Sequence, residues 1–155
     1  MRIPPARLLA LALAFVVLPV MASMTTAQQA AAAFPGTQWE RDSALADNFD
    51  CSGHPTSAIL GRAKGRTEVA LFPSGAGAPV LLSYPERLLD PKTATLTVEP
   101  LLFSMKDFLM DNGRPVPPGL EPSETCAGLL LTDAAGHVIH VYWNRERKAF
   151  DDWLG

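Results

Sequence analysis

Cysteine and histidine are the residues here whose types and spacing could do chemistry. Cys51-x-x-His54 sits in a turn-rich segment, Asp50–Pro55, and His137-x-x-His140 lies near the C-terminus beside the second cysteine, Cys126. Thiolate and imidazole are the ordinary ligands of zinc; Cys51 and His54 could supply two, with Cys126 a third if near in space, and His137 and His140 form a second pair to weigh. The second pair fails on geometry. Residues His137 to Trp143 read as a strand, where positions three apart face opposite sides, so the two imidazoles diverge. The spacing of the first pair is no signature by itself. No metal and no other cofactor is expected.

Nucleophilic catalysis is the other chemistry to weigh. A Cys51–His140–Asp133 set can be drawn on paper, but a thiol nucleophile needs a base and an orienting group beside it. The chain carries neither a Gly-x-Ser-x-Gly elbow nor a Ser-x-x-Lys pair. Arg62, Lys64 and Arg66 alternate through Gly61–Arg66 and read as a solvated loop between glycines. Pro73–Pro79 is too short for a phosphate-binding loop and lacks the Gly-Lys-Ser/Thr ending. A small thiol hydrolase using Cys51 stays as an alternative, with no catalytic residue assigned.

The N-terminus fixes how the cysteines should be read. Arg2 and Arg7 are followed by the apolar run Leu8–Leu18, then Pro19 and small residues, which is the order of a secretory signal peptide. The run is shorter than the roughly 20 residues of a membrane span. Cleavage fits after Ala22 or after Ala27, and the sequence favours Ala27. The division is then a cleaved signal over 1–27, a flexible arm over 28–36 and a single domain over 37–155. Export places Cys51 and Cys126 in an oxidising compartment, periplasmic or extracellular, where they should pair. Losing Arg2 and Arg7 from 13 basic residues set against 16 acidic ones leaves the mature chain at −5. That charge argues against nucleic acid and against anionic membrane surfaces.

The elements that must position these groups follow from periodicity. Thr37-x-x-Glu40 matches a capping box and predicts a short helix to Asn48. Thr67–Phe72, Val80–Tyr84 and Thr93–Glu99 alternate as strands, the last with Ala94, Leu96 and Val98 on one face. Leu101–Asn112 switches to helical period, with Leu102, Met105, Phe108 and Leu109 in one stripe and Asn112-Gly113 as the stop. Arg114–Pro122 is proline-rich and reads as a stiff extended connector. Gly128–Thr132 and His137–Trp143 form a hairpin about the turn Asp133–Gly136. Its return strand puts Ile139, Val141 and Trp143 on one face and Val138, His140 and Tyr142 on the other. Asn144–Leu154 reads as a closing helix with Phe150, Trp153 and Leu154 on one side. Its charges run against the helix dipole, basic early and acidic late, so packing would have to hold it.

The expectation is therefore an α+β domain: an antiparallel sheet of about five strands, packed by two or three helices, with a C-terminal hairpin followed by a closing helix. The function expected is binding rather than catalysis, by an exported inhibitor, immunity or accessory protein whose partner is another extracytoplasmic protein. His140 and Tyr142, with Arg145 just beyond, are the partner-binding residues expected, because Tyr and Arg are favoured at interface hot spots. A small-ligand carrier with a pocket between sheet and helices is a further alternative.

Overall fold

The computed structural model describes residues 23–75 and 77–155, so the segment read as a signal, up to Ala22, lies outside the described residues. The chain folds as two antiparallel sheets and is mostly β, not the single-sheet α+β domain expected from periodicity. In chain order the elements are α1 (Thr26–Ala33), β1 (Gln38–Trp39), a 3-10 turn (Arg41–Ser43), β2 (Leu45–Asp47), β3 (Thr56–Ala63), β4 (Arg66–Phe72) and β5 (Val80–Pro85). There follow β6 (Thr95–Pro100), α2 (Met105–Asn112), β7 (Ala127–Thr132), β8 (Val138–Asn144) and β9 (Ala149–Leu154). The first sheet runs β1-β3-β4-β5, with β2 pairing further along the same edge of β3; the second runs β6-β7-β8-β9.

The sheets face each other across one core. Ala58, Leu60, Val69 and Leu71 of the first sheet meet Leu96, Leu129, Leu131, Ile139, Val141 and Phe150 of the second. Each fully buried Leu or Ile there stabilises the fold by about 1.5–3 kcal/mol. The outer face of the first sheet is covered too: Ile59 and Ala70 lie under Ala30 of α1, all three fully buried. Thr25 caps α1 through a reciprocal pair with Gln28, whose backbone N–H donates to the Thr25 hydroxyl while its side chain accepts from the Thr25 N–H. This helix occupies part of the segment that composition suggested was an arm.

Three local features explain the departures from the sequence expectation. β3 is buried on both faces, so its Ala58-Ile59-Leu60 run shows no alternation to mark it as a strand. It turns into β4 through Lys64 and Gly65, both at positive φ (43° and 73°), the mirror-image turn that suits strand twist. Second, Thr37 caps no helix. Its hydroxyl bonds Glu68, and Glu40 pairs with Arg62 at 2.7 Å, so residues 37–48 run beside β3 as two short strands and a 3-10 turn. Gly61 opposite Trp39 allows this close approach, since a Cβ there would lie 2.6 Å from the indole ring.

Third, the tail is a strand, not a closing helix. Asn144 Oδ1 accepts the N–H groups of Glu146 (3.1 Å) and Arg147 (3.0 Å) and turns the chain at once, with Lys148 at φ 49°. β9 then pairs along the free edge of β8, from Asn144↔Ala149 to Ile139↔Leu154. The charge order that opposed a helix dipole suits this hairpin, where Arg147 meets Asp151 at 2.7 Å and no macrodipole exists to oppose. The β7–β8 hairpin, β4, β5 and β6 form close to where alternation puts them, and α2 ends as expected: Gly113 sits at φ 64° and donates to the Leu109 carbonyl.

Cys51 and Cys126 stand at disulfide-bonding distance, their Cα atoms 5.0 Å apart, and tie the loop after β2 to the start of β7. The link therefore joins one sheet to the other. Beside it, the Asp50 carboxylate accepts from the Ser52 N–H (3.1 Å) and from both the N–H (2.9 Å) and hydroxyl (3.0 Å) of Ser74. Partial burial works against that charge, but the hydrogen bonds outweigh it and hold the Asp50 pKa at about 2.

Candidate functional site

The outer face of the second sheet carries the groups singled out from the sequence, together with others that were not. Alternation along β8 turns His140 and Tyr142 outward while Ile139 and Val141 enter the core. Cross-strand register sets Trp153 opposite His140 and Asp151 opposite Tyr142. The imidazole of His140 stacks flat on the Trp153 indole, centroids 3.7 Å apart and planes 6° from parallel. Its Nδ1 lies 2.7 Å from a carboxylate oxygen of Glu99 on β6, so three strands fix one ring. The Arg114 guanidinium also lies over the indole, 4.5 Å from its centroid.

α2 closes over this layer. Ser104 caps it by accepting the Asp107 N–H at 3.0 Å, and Phe108 is the one residue it buries. Phe108 meets Trp153 edge-on at 5.4 Å and Phe103 at 5.3 Å, giving a chain of aromatic rings from helix to sheet. The proline-rich connector packs here rather than spanning open space. Leu120 is buried, the Tyr142 hydroxyl donates to the Pro118 carbonyl at 3.1 Å, and the Arg145 N–H donates to the Gly119 carbonyl at 3.1 Å. Gly119 holds φ 73°, and a Cβ there would collide with the Asn144 side chain. Burial, with the nearby Asp151 charge, raises the Tyr142 phenol above its usual pKa, so it remains a neutral donor.

Between α2, connector and sheet lies a cavity of about 290 Å³. Leu101, Phe103, Phe108, Leu120, Tyr142 and Trp153 line it, with Glu99 and His140 among the strand residues and Asp111 and Asn112 contributed by α2. The helix, and Leu102 just before it, also present apolar side chains to solvent. Leu102, Met105, Leu109 and Met110 are 69%, 54%, 50% and 75% exposed. Of the four residues assigned to one core stripe, only Phe108 is buried.

The three residues expected to meet a partner are thus placed differently from one another. His140 reaches the cavity, Tyr142 is buried in its lining and Arg145 is held at 3.0 Å by Glu121 beside the connector. Trp153, Phe103, Glu99 and the exposed side of α2 escaped the sequence reading. The one signal for α2 was Met110, which lies off the stripe formed by Met105, Phe108 and Leu109.

The other sets considered for chemistry do not assemble. The Asp133 side chain is fully buried and bonds the N–H groups of Asp90 (2.9 Å) and His137 (3.0 Å) and the His137 ring (2.8 Å). The Asp90 N–H foremost holds its pKa well below the carboxylate range. Asp133 therefore serves the β7–β8 turn and not His140, whose carboxylate partner is Glu99. Among the described residues no group of three or more His, Cys, Asp or Glu could hold a metal ion. No described helix is long and apolar enough to cross a membrane. What the fold and site define is a two-sheet β domain with an aromatic cavity under an apolar helix. Set against family models, curated proteins and solved structures, the chain matches none.

Proposed function

We propose that this is an exported binding module whose working surface is α2 and the cavity beneath it, and whose partner is another extracytoplasmic protein. The observation that carries the reading is the exposure of Leu102, Met105, Leu109 and Met110 around one short helix. Isolated exposed apolar residues need no explanation, but four adjacent ones beside an aromatic cavity mark an interaction surface. Methionine suits such a surface because its thioether adapts to irregular partners. The cavity supports the same reading. At about 290 Å³ it falls at the lower edge of small-molecule sites and would take one or two partner side chains. His140 and Trp153 would then be anchors in its floor, and Tyr142 and Arg145 would hold the connector that forms one wall. The signal-like N-terminus and the paired cysteines support export. With Cys51 Sγ engaged by Cys126, nothing favours a thiol hydrolase.

The test is capture from an envelope extract by immobilised mature protein, wild type against Leu109→Asp/Met110→Asp. Both positions are solvent-facing, so the variant should keep the wild-type circular dichroism spectrum. A partner retained by wild type and lost by the variant supports the reading. Equal capture by both places the interface elsewhere.

A further inference from the structure

Three concavities surround α2, and their charged linings share one sign. Glu99 and Asp111 line the aromatic cavity. Glu121 and Glu146 line the hollow on the connector side, beside Met105 and Leu109. Asp107 and Glu124 line the one at the helix start, beside Leu102 and Phe103. Among the described residues no Lys or Arg is itself in these linings, and the two cations beside them are engaged, Arg114 over the Trp153 indole and Arg145 with Glu121. Some of these carboxylates are engaged internally: Glu99 with His140, Glu121 with Arg145 and Asp107 with Ser104. Asp111, Glu124 and Glu146 make no ion pair among the described residues.

We propose that this face receives a polypeptide segment that is both apolar and basic, its Leu- or Phe-like side chains on α2 and in the cavity, its Lys or Arg at the acidic rim. The proposal rests on the interface reading above and adds the chemistry of the partner. Apolar contact alone would not choose between occupants; the rim does. A second copy of the chain would bring two acidic rims together, and an anionic lipid surface would be repelled by the same carboxylates. A basic amphipathic segment meets both demands, in the manner of a helix laid into an apolar groove.

Fluorescence anisotropy of labelled peptides against the intact mature protein tests this. The probes are a Leu/Lys amphipathic peptide of about 18 residues, its Leu/Glu counterpart and a Gly/Lys peptide of equal charge. The Leu/Lys peptide should bind about tenfold or more tightly than either control, and weaken several-fold as salt rises from about 50 to about 500 mM. The exposed-site variant Asp111→Lys/Glu124→Lys/Glu146→Lys should reverse the preference toward Leu/Glu, and Leu109→Asp/Met110→Asp should abolish binding of both. Equal affinity for Leu/Lys and Leu/Glu in wild type would overturn the basic-partner proposal and leave the interface reading standing. Failure of every peptide to bind would overturn both. A wild-type dimer in sedimentation that dissociates in Leu109→Asp/Met110→Asp would assign the face to a second copy and overturn the proposal.

Discussion

Opening the Cys51–Cys126 link should cost this fold about 4–5 kcal/mol. The cysteines are 75 residues apart in sequence. In the chain-entropy model, closing a loop of that length removes about 15 cal/mol/K from the unfolded ensemble, or about 4.5 kcal/mol at room temperature. Against the roughly 5–15 kcal/mol of an ordinary domain, that is a large share. The variant Cys51→Ala/Cys126→Ala avoids leaving thiols to reshuffle. It also removes the Cys126 sulfur from the buried cluster it forms with Leu101, Phe108, Leu120 and Tyr142, which adds a smaller packing loss. Urea denaturation followed by tryptophan fluorescence is the assay. Two quantities should move: the midpoint falls, and the slope of free energy on urea rises, because the unlinked unfolded chain exposes more surface. Reducing the wild type should reproduce both changes. A midpoint shift worth under about 1 kcal/mol, or two free thiols titrated in the unreduced, denatured protein, would refute the reasoning.

The depressed Asp50 pKa makes stability depend on acid. A carboxylate held at about 2 when folded contributes stability that is full above its unfolded value near 4 and lost as pH falls through 2. Discounted for partial solvent screening, Asp50 should supply about 1–2 kcal/mol, so urea midpoints should fall from pH 4 to pH 2 and Asp50→Asn should flatten that slope. Gly119→Ala should destabilise by about 1–3 kcal/mol, since it strains a positive φ and drives a methyl into Asn144; an unchanged melting temperature would mean that the connector is not held as described. The position of Thr25 bears on processing. A cut after Ala27 would remove the cap and first turn of α1, whose Ala30 is fully buried against β3 and β4, whereas a cut after Ala22 keeps both. If the proposed signal is cleaved, N-terminal sequencing of the mature chain should therefore start at Ser23, and a start at Gln28 would show that the fold dispenses with that turn.

Legibility followed how each element is buried. β6 and β8 each turn one face to the core, so alternation marked them; β7 showed only as an apolar run, and Asp133 with Gly136 marked the turn between β7 and β8. β3 gave no such pattern because α1 covers its second face. Tail residues Phe150, Trp153 and Leu154 are spaced three and four apart, which fits a helix face. In the strand, Phe150 enters the core while Trp153 turns outward to His140. Local spacing could not decide between these; the unpaired edge of β8 did. Thr37-x-x-Glu40 shows the converse, a sequence match to a cap whose two side chains instead reach across to Glu68 and Arg62.

By itself the sequence determined what depends on short range and on composition: a negative mature chain if the signal is removed, the hairpin turn, the Gly113 stop, and two cysteines whose pairing export would favour. It also determined that His140 and Tyr142 share a face, since that needs only the two-residue period of a strand. Tertiary structure decided what depends on partners distant in the chain. Glu99 and Trp153 lie 41 and 13 positions from His140 and meet it only because β6 and β9 flank the β7–β8 pair. The same packing left one side of α2 without a neighbour, and that uncovered face, invisible to periodicity, carries the proposed interface.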